Sequence, residues 1–343
     1  MRVTTMLPAC LTVALLACTS EDGPTQPGAD GNLVPAPPSL AVASNTWAPK
    51  AATLYSEEFY GYSLGVAPNS AGESIVYTFG GTLPERGGTG SPVTAYNVAT
   101  DNWTGGRLSQ VGVFHSNGVG KIGNKFYFSG GYNEPGSLPT FVNQLWAYDY
   151  VHDRMTRKAD LPIFGAEGVS GVIGGKLYVL PGACSGDRYP GPGYCAKEET
   201  RRFYRYDPAT NTWVTRRQAP HFHRQGAAAV IDGKLYVAGG FNGFQPVADL
   251  DVYDPATNTW RTLAPIPKGG AASGAILQGR FYVVVQGFNG GSPDNRAYAY
   301  NSVTNRWTAK AAPDVFGSVV RVTLDGRSYL FTASGNRSAL YTP

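Results

Sequence analysis

The sequence predicts an all-β fold in which six blades of four antiparallel strands form a closed ring. The 343 residues are 42% hydrophobic and 15% charged, with 44 Gly and 25 Pro scattered between short apolar runs. This composition is typical of many short strands joined by tight turns. The eight residues Tyr-Asp-Pro-Ala-Thr-Asn-Thr-Trp occur at 206–213 and again at 253–260. Looser copies recur along the chain, so the fold is built from repeats.

Each repeat contains the material for one four-stranded blade. In the clearest copy a small-residue strand at 226–231 precedes a turn and an aromatic-aliphatic strand at 233–240, which ends in Gly-Gly. A loop, a strand containing Tyr, a turn and a final aromatic strand follow. The final aromatic position is occupied six times, by Trp47, Trp103, Met155, Trp213, Trp260 and Trp307.

The count of strands predicts how the ring closes. The last repeat supplies three strands before Pro343, whereas Trp47 has no earlier blade strands before it. We therefore expect an N-terminal strand around Trp47 to complete the sixth blade. Such closure removes exposed sheet edges.

The Gly-Gly pair, the Tyr after it and the Trp further on resemble the repeats of the kelch family, from about residue 45 to residue 343. The resemblance implies a β-propeller whose glycines let inner strands crowd together and whose Trp residues fill the space between blades. Three repeats depart from the Gly-Gly pair, at Pro181-Gly182, Val285-Gln286-Gly287 and Ala333-Ser334. Kelch propellers include interaction modules, sugar mutarotases and copper oxidases, so the fold leaves the function open.

The first 17 residues predict an export signal. Arg2 precedes an uncharged apolar stretch from Met6 to Ala17, which is too short to span a bilayer. The stretch ends in Leu-Leu-Ala-Cys18 and resembles the bacterial lipoprotein signal, in which the cysteine is lipidated; the alternative is later cleavage that leaves Cys18 as a free thiol. Residues 18–44 hold five prolines and no aromatic residue, which favours a flexible tether. We expect an exported propeller, residues 45–343, anchored by lipid to a bacterial outer membrane.

The cysteine content and the net charge of the chain limit the metals and ligands that it is expected to bind. Cys184 and Cys195 remain in the folded body, and in an exported protein we expect them to form a disulfide that orders a loop. A two-thiolate metal site lacks nearby His or Cys ligands. The formal charge of +4 without a cluster of basic residues argues against nucleic acid. We expect a monomer with no cofactor and no metal, which meets the membrane through its lipid anchor alone.

Candidate site residues lie where the innermost strands begin. Aligning the repeats on Lys125, Lys176, Lys234 and Arg280 places His115 opposite Ala166, Arg224 and Gly270. The loops on this face are long and unlike one another, which is typical of a functional face. We expect four residues around the mouth of the channel: His115, Glu167, His223 and Arg224. Arg224 would bind an anionic group, and Glu167 or His115 would move a proton.

Three loops on the same face carry an aromatic residue followed by an amide. The pairs are Tyr132-Asn133, Phe241-Asn242 and Phe288-Asn289. Such pairs stack on sugars and hydrogen-bond to them, so we expect Asn133, Asn242 and Asn289 to contact a ligand. The alternative is that these repeated residues hold the geometry of the loops.

These residues predict a binding module for a carbohydrate or protein ligand on the long-loop face. The alternative is a mutarotase for an acidic sugar such as N-acetylneuraminate, since the resemblance implies a proton-transferring group beside a carboxylate-binding Arg. A galactose oxidase-like copper enzyme is disfavoured because the chain has four His, and His221 with His223 forms an i, i+2 pair without an evident third ligand.

Overall fold

The computed structural model describes residues 44–54, 62–80, 92–108, 115–133, 140–183, 201–289 and 292–343. Across these ranges no helix is long and apolar enough to cross a membrane. Cys18, Cys184 and Cys195 lie outside the described residues, so lipidation and the disulfide remain predictions. The same holds for the export signal and for nearly all of the tether.

Thirty strands occur in the described ranges. In chain order they are β1 (Thr46–Lys50), β2 (Tyr62–Pro68), β3 (Ser74–Gly80), β4 (Pro92–Asn97), β5 (Asn102–Leu108), β6 (Val119–Ile122), β7 (Lys125–Ser129), β8 (Tyr132–Asn133), β9 (Thr140–Phe141), β10 (Leu145–Asp149), β11 (Arg154–Lys158), β12 (Val169–Ile173), β13 (Lys176–Leu180), β14 (Phe203–Asp207), β15 (Thr212–Arg216), β16 (Ala227–Ile231), β17 (Lys234–Ala238), β18 (Phe241–Asn242), β19 (Gln245–Pro246), β20 (Leu250–Asp254), β21 (Thr259–Leu263), β22 (Ala272–Leu277), β23 (Arg280–Val285), β24 (Phe288–Asn289), β25 (Ser292–Pro293), β26 (Arg296–Asn301), β27 (Arg306–Lys310), β28 (Ser318–Leu324), β29 (Arg327–Ser334) and β30 (Arg337–Thr342).

Six antiparallel four-stranded sheets form the blades, numbered 1 to 6 along the chain. From the innermost strand outward they are β2-β3-β4-β5, β6-β7-β10-β11, β12-β13-β14-β15, β16-β17-β20-β21, β22-β23-β26-β27 and β28-β29-β30-β1. The innermost strands contact one another in succession, and β28 contacts β2. The ring is therefore closed, and the predicted six-bladed propeller is confirmed.

The N-terminal strand closes the ring as expected. Strand β1 pairs antiparallel with β30, and Trp47 lies opposite Tyr341. The indole Nε1 of Trp47 donates a hydrogen bond to the carbonyl of Ala311 at 2.8 Å. Asn45 Oδ1 accepts from the Tyr341 hydroxyl at 2.9 Å and from the Ala311 N–H at 3.1 Å. Blade 6 is thus completed by the opposite end of the chain and joined by it to blade 5.

The repeated Tyr, Asn and Trp form a clamp between blades. In blade 3, Asn211 Oδ1 accepts from the backbone N–H of Ala159 at 3.0 Å, and Trp213 Nε1 donates to the carbonyl of that same residue at 2.8 Å. The Tyr206 hydroxyl donates to Asn211 at 2.7 Å and orients the amide. The same contacts recur at Trp47, Trp103, Trp260 and Trp307. The repeated motif therefore hydrogen-bonds both the backbone N–H and the backbone C=O of one residue in the preceding blade.

Blade 2 lacks the Trp of this clamp. The Tyr148 hydroxyl still donates to Asp153 at 2.8 Å. Met155 takes the place of Trp and packs against the apolar cluster around Phe126 and Phe128. Its thioether has no N–H to donate, so this seam retains the packing of the repeat without the indole hydrogen bond.

The hydrophobic core is divided among six seams, one between each pair of neighbouring blades. Near the axis the blades converge, and the innermost strands carry small residues for that reason. A Cβ atom on Gly171 would lie 2.5 Å from Cδ1 of Leu235 in the next blade, and one on Gly120 would lie 2.5 Å from Cδ1 of Leu177. The predicted small-residue strand is thus a packing requirement of the ring.

Candidate functional site

The two faces of the propeller differ in their connections. On one face the first two strands of blades 2 to 6 are joined by two-residue turns, as between Ile231 and Lys234. On the other face, here called the long-loop face, lie the loops between second and third strands and the links between blades. Isolated bridges join these loops to the links, at Ala166–Ala183 and Arg224–Phe241. The links that carry the predicted site residues are therefore held against the loops.

The central channel contains a cavity of about 640 Å³. At its long-loop end it is lined by polar side chains, among them His115, Glu167, Gln225, Gln286 and Ser334. Lys121 and Arg321, from innermost strands, also line it. A volume of this size lies within the roughly 300–1,000 Å³ of sites for small organic ligands.

Glu167 is the centre of a polar network at this end of the cavity. Its Oε2 accepts from Nη1 of Arg224 at 2.8 Å, and its Oε1 accepts from Nε2 of Gln225 at 2.8 Å. Nδ1 of His115 lies 3.7 Å from Oε1. The Glu167 side chain is only 7% exposed, so its charge is compensated by Arg224 within the protein.

Arg224 is held on several sides by the protein. Its Nη2 donates to the carbonyl of Gly243 at 2.6 Å, and its guanidinium lies 5.4 Å from the ring centre of Phe241. Arg224 is not among the residues that line the cavity. A carboxylate ligand would have to compete with Glu167 for it, so the geometry favours Arg224 as the partner that orients Glu167.

His115 lies at the mouth with its ring edge-on to Tyr132, at 5.7 Å between ring centres. Burial lowers its pKa below the ordinary histidine value, and the Glu167 carboxylate only partly opposes this effect. Near pH 7 the imidazole is therefore neutral. A neutral imidazole carries one N–H donor and one nitrogen acceptor.

The predicted alignment of the repeats is wrong by one residue. The Glu167 N–H donates to the His115 carbonyl at 2.8 Å, and the Gln225 N–H donates to the Glu167 carbonyl at 2.6 Å. The counterparts of His115 are therefore Glu167 and Gln225, instead of Ala166, Arg224 and Gly270. The cause is one extra residue in blade 2, because the stretch from His115 to Ile122 is longer by one than that from Glu167 to Ile173.

His223 lies inside blade 4 and not at the mouth. Its ring is fully buried, with Nε2 3.0 Å from Asp251 Oδ2 and Nδ1 2.8 Å from the carbonyl of Gly239. Asp251, also fully buried, accepts from Thr262 and contacts His221 Nδ1 at 3.0 Å. Burial acts to raise the pKa of Asp251, but the hydrogen bond and charge of His223 hold that pKa below its usual value. This cluster binds the strands of blade 4 together.

The contacts of His221 and His223 also show whether these two residues could bind a metal ion. His221 and His223, the pair that the sequence offered to copper, both direct a ring nitrogen at Asp251. Throughout the part of the chain that the structure describes, no group of three or more His, Cys, Asp or Glu side chains is arranged around a common metal position. The described residues therefore do not fit the copper ligand set.

The three aromatic-amide pairs occupy equivalent places. Each forms the first strand of a two-stranded ribbon in the long loop, in β8–β9, β18–β19 and β24–β25. Backbone pairing thus sets the conformation of these loops, and it includes Asn133, Asn242 and Asn289. Only Asn242 has its side chain described, and its buried Oδ1 has no hydrogen-bond partner among the described residues. Sugar contact by the three amides remains a prediction.

Two supports of the site were not predicted from the sequence. Asn117 is fully buried; its Nδ2 donates to the Gly165 carbonyl at 3.1 Å and its Oδ1 accepts from the Gly168 N–H at 2.9 Å. It therefore fixes the link that carries Glu167. A Cβ atom on Gly182 would lie 2.4 Å from the Glu167 carbonyl oxygen. The glycines repeated after the second strand of each blade could have predicted this close approach. No motif in the sequence pointed to Asn117.

Comparison with known proteins identifies related sequences and folds. Residues 119–318 match the model of the KLHDC2/KLHL20/DRC7 Kelch-repeats domain. No curated protein matches the sequence significantly. The structure of YjhT is 15% identical, with a TM-score of 0.63 over 85% of this chain and 96% of that one. A copper complex of a fungal alcohol oxidase of the AA5 family is 14% identical, with a TM-score of 0.56 over 87% and 76%. At these identities the two structures share the fold alone.

Proposed function

This chain belongs to the KLHDC2/KLHL20/DRC7 kelch-repeats family, and we propose that it is a recognition module that binds a carbohydrate or protein ligand at the channel mouth on its long-loop face. One observation carries the proposal. The cavity of about 640 Å³ is lined at this end by imidazole, carboxylate, amide and hydroxyl groups. Convergent polar groups in a concave site provide the orientation and specificity that ligand binding requires.

A second candidate function is the mutarotation of an acidic sugar such as N-acetylneuraminate. The observation that favours it is the pair formed by His115 and Glu167, 3.7 Å apart at the mouth. A neutral imidazole beside a carboxylate is able to move a proton during ring opening and closing. Against it stands the pairing of Arg224 with Glu167, which leaves the proposed carboxylate anchor occupied.

One experiment separates the two functions. We expect the melting temperature of the purified protein to rise with at least one sugar of a panel of neutral and acidic monosaccharides. A ligand at 100 times its Kd adds about 2.7 kcal/mol to the free energy of unfolding. Proton NMR of freshly dissolved N-acetylneuraminate should show the same approach to anomeric equilibrium with and without protein. Acceleration that disappears in Glu167→Gln would instead establish the mutarotase, and no thermal shift with any sugar would point to a protein ligand.

We also propose that the protein is exported and lipid-anchored through Cys18, because the apolar stretch that ends in Leu-Leu-Ala-Cys18 is followed by a proline-rich tether. The variant Cys18→Ser is expected to move from the membrane fraction to the soluble fraction in the bacterial host. Cys10→Ser, inside the signal, is the matched control and should remain with the membrane. Retention of Cys18→Ser in membranes after a carbonate wash would contradict the anchor.

A further inference from the structure

Backbone strain marks particular residues of this propeller. Twelve described residues other than glycine have a positive φ, between 49° and 58°. Left-handed backbone is unfavourable for residues with a Cβ atom and is tolerated best by Asn and Asp. Glycine adopts this conformation without strain, so each of the twelve residues lowers stability somewhat relative to glycine.

Nine of the twelve occupy positions that recur in the repeat. Six are the Asn or Asp of the inter-blade clamp, whose side chains orient it: Asn45, Asp101, Asp153, Asn211, Asn258 and Asn305. Three open the two-residue turn of an inner hairpin and precede glycine: Asp232, Gln278 and Asp325. In blades 2 and 3 the same turn position is taken by Gly123 and Gly174. The geometry of this turn therefore accounts for the left-handed backbone at these three positions.

The remaining three are His115, Glu167 and Gln225, with φ of 50°, 57° and 56°. They belong neither to the clamp nor to an inner hairpin turn; Gln225 is the third residue of a β-turn closed by the Gly226 N–H and the His223 carbonyl at 3.0 Å. They are the structural counterparts of one another in blades 2, 3 and 4, since their backbones are joined in sequence by hydrogen bonds. All three residues line the cavity. This shared place at one cavity wall separates them from the other nine, and strained residues cluster at functional sites.

The chemistry of these three residues defines the group they recognise. Glu167 is neutralised by Arg224 at 2.8 Å, and His115 is neutral near pH 7, so the set carries no net charge. Gln225 uses Nε2 to hold Glu167, which leaves its Oε1 as an acceptor for the cavity. Carboxylate, amide and imidazole together offer both donors and acceptors at short spacing. Vicinal hydroxyl groups match such a set, because each hydroxyl is able both to donate a hydrogen bond and to accept one.

From this geometry we infer that His115, Glu167 and Gln225 form a ligand-contacting arc, and that the group they bind is a neutral, hydroxyl-bearing sugar ring. The inference rests on the proposed function and names its ligand class. It also assigns a contact role to Gln225, which the sequence did not suggest. The cations Lys121 and Arg321, which line the same cavity from innermost strands, are not part of the arc.

The test compares two glutamines that share the same backbone strain. Gln225→Gly and Gln278→Gly each remove a side chain from a left-handed position, with φ of 56° and 49°. Because glycine relieves the strain, unliganded Gln278→Gly is expected to melt at or above the temperature of the parent protein. Gln225→Gly gains the same relief but loses the hydrogen bond to Glu167, so it is expected to melt within a few degrees of the parent protein. Titration calorimetry with galactose, glucose and mannose should then show about tenfold weaker binding in Gln225→Gly, and unchanged binding in Gln278→Gly. A shorter amide, Gln225→Asn, should also weaken binding.

The outcomes separate the inference from the proposed function. A neutral sugar that binds Gln225→Gly as tightly as the parent protein would overturn the arc but leave the binding function standing. Binding of glucuronic and galacturonic acid without binding of their neutral parents would overturn the ligand class alone. A large drop in the melting temperature of unliganded Gln225→Gly would make Gln225 a structural residue. Failure of every sugar to bind the parent protein would refute the inference together with the carbohydrate form of the proposed function.

Discussion

Deletion of residues 19–50 is expected to open the ring and to lower the free energy of unfolding by roughly 3–5 kcal/mol or more, because a whole strand and the half-buried Trp47 are removed from the fold. Strand β1 supplies the outermost ladder of blade 6. It also supplies Trp47 and Asn45, which hold both backbone polar groups of Ala311. Its loss exposes the edge of β30, so we also expect aggregation.

The matched control is deletion of residues 19–40, which removes most of the proline-rich segment and leaves β1 in place. Its unfolding midpoint in urea should equal that of the parent protein. The variant Trp47→Phe isolates one contact, since it keeps an aromatic ring and loses the hydrogen bond to Ala311; we expect a loss of about 1 kcal/mol. Equal midpoints for the two deletions would refute closure by β1.

The second large effect concerns the buried carboxylate of blade 4. Asp251→Asn is expected to destabilise the protein by about 3–5 kcal/mol at pH 7, because it breaks a hydrogen-bond network around a fully buried carboxylate. The carboxylate oxygens of Asp251 face Nε2 of His223, Nδ1 of His221 and the hydroxyl of Thr262. An amide at position 251 has one acceptor oxygen instead of two and turns an NH2 group toward one of these partners.

The effect of Asp251→Asn should depend on pH with a definite sign. The pKa of Asp251 in the folded protein is lower than its usual value, so its ionisation contributes stability at pH values above its unfolded pKa of about 4. That contribution is lost as the pH falls through the lowered folded pKa. The difference in unfolding free energy between the parent protein and Asp251→Asn should therefore narrow as the pH falls below about 4.

Asp249→Asn provides the control for this measurement. Asp249 is partly exposed and lies 3.8 Å from His221 Nε2, so its charge interacts through solvent. We expect a loss below about 1 kcal/mol. Urea unfolding of the parent protein, Asp251→Asn and Asp249→Asn between pH 3 and 7 measures both the size of each loss and its dependence on pH. A similar destabilisation by the two substitutions would show that the buried network around Asp251 contributes no more stability than a partly exposed ion pair.

The sequence was sufficient to predict the architecture of the propeller. The eight residues repeated at 206–213 and 253–260 are the residues of a local clamp, and their positions relative to each other are set within one hairpin. Small residues on the innermost strand and aromatic residues on the next are likewise requirements of each seam. Because such local requirements recur in every blade, they appear in the sequence as a repeat. Trp47 showed that the N-terminal strand completes the last repeat.

The site could be predicted only in part. The sequence analysis grouped Glu167 with His115, and both residues line the cavity. An alignment derived from turn positions, however, cannot detect one extra residue between the turn and His115. His223 follows Phe222 in a link between blades, and no local pattern shows that its ring turns inward to Asp251, 28 residues later. Gln225 had no motif to mark it.

The number of blades, the strands in each blade and the closure by β1 could all be predicted from the sequence, because they follow from spacing along the chain. The side chains that meet at the mouth could be identified only in the folded ring. The contacts of Glu167 with His115, Arg224 and Gln225 join three blades, across 52 to 58 residues of sequence. Contacts of this kind depend on how the ring packs, and on which charges are desolvated by that packing, so no periodic pattern records them.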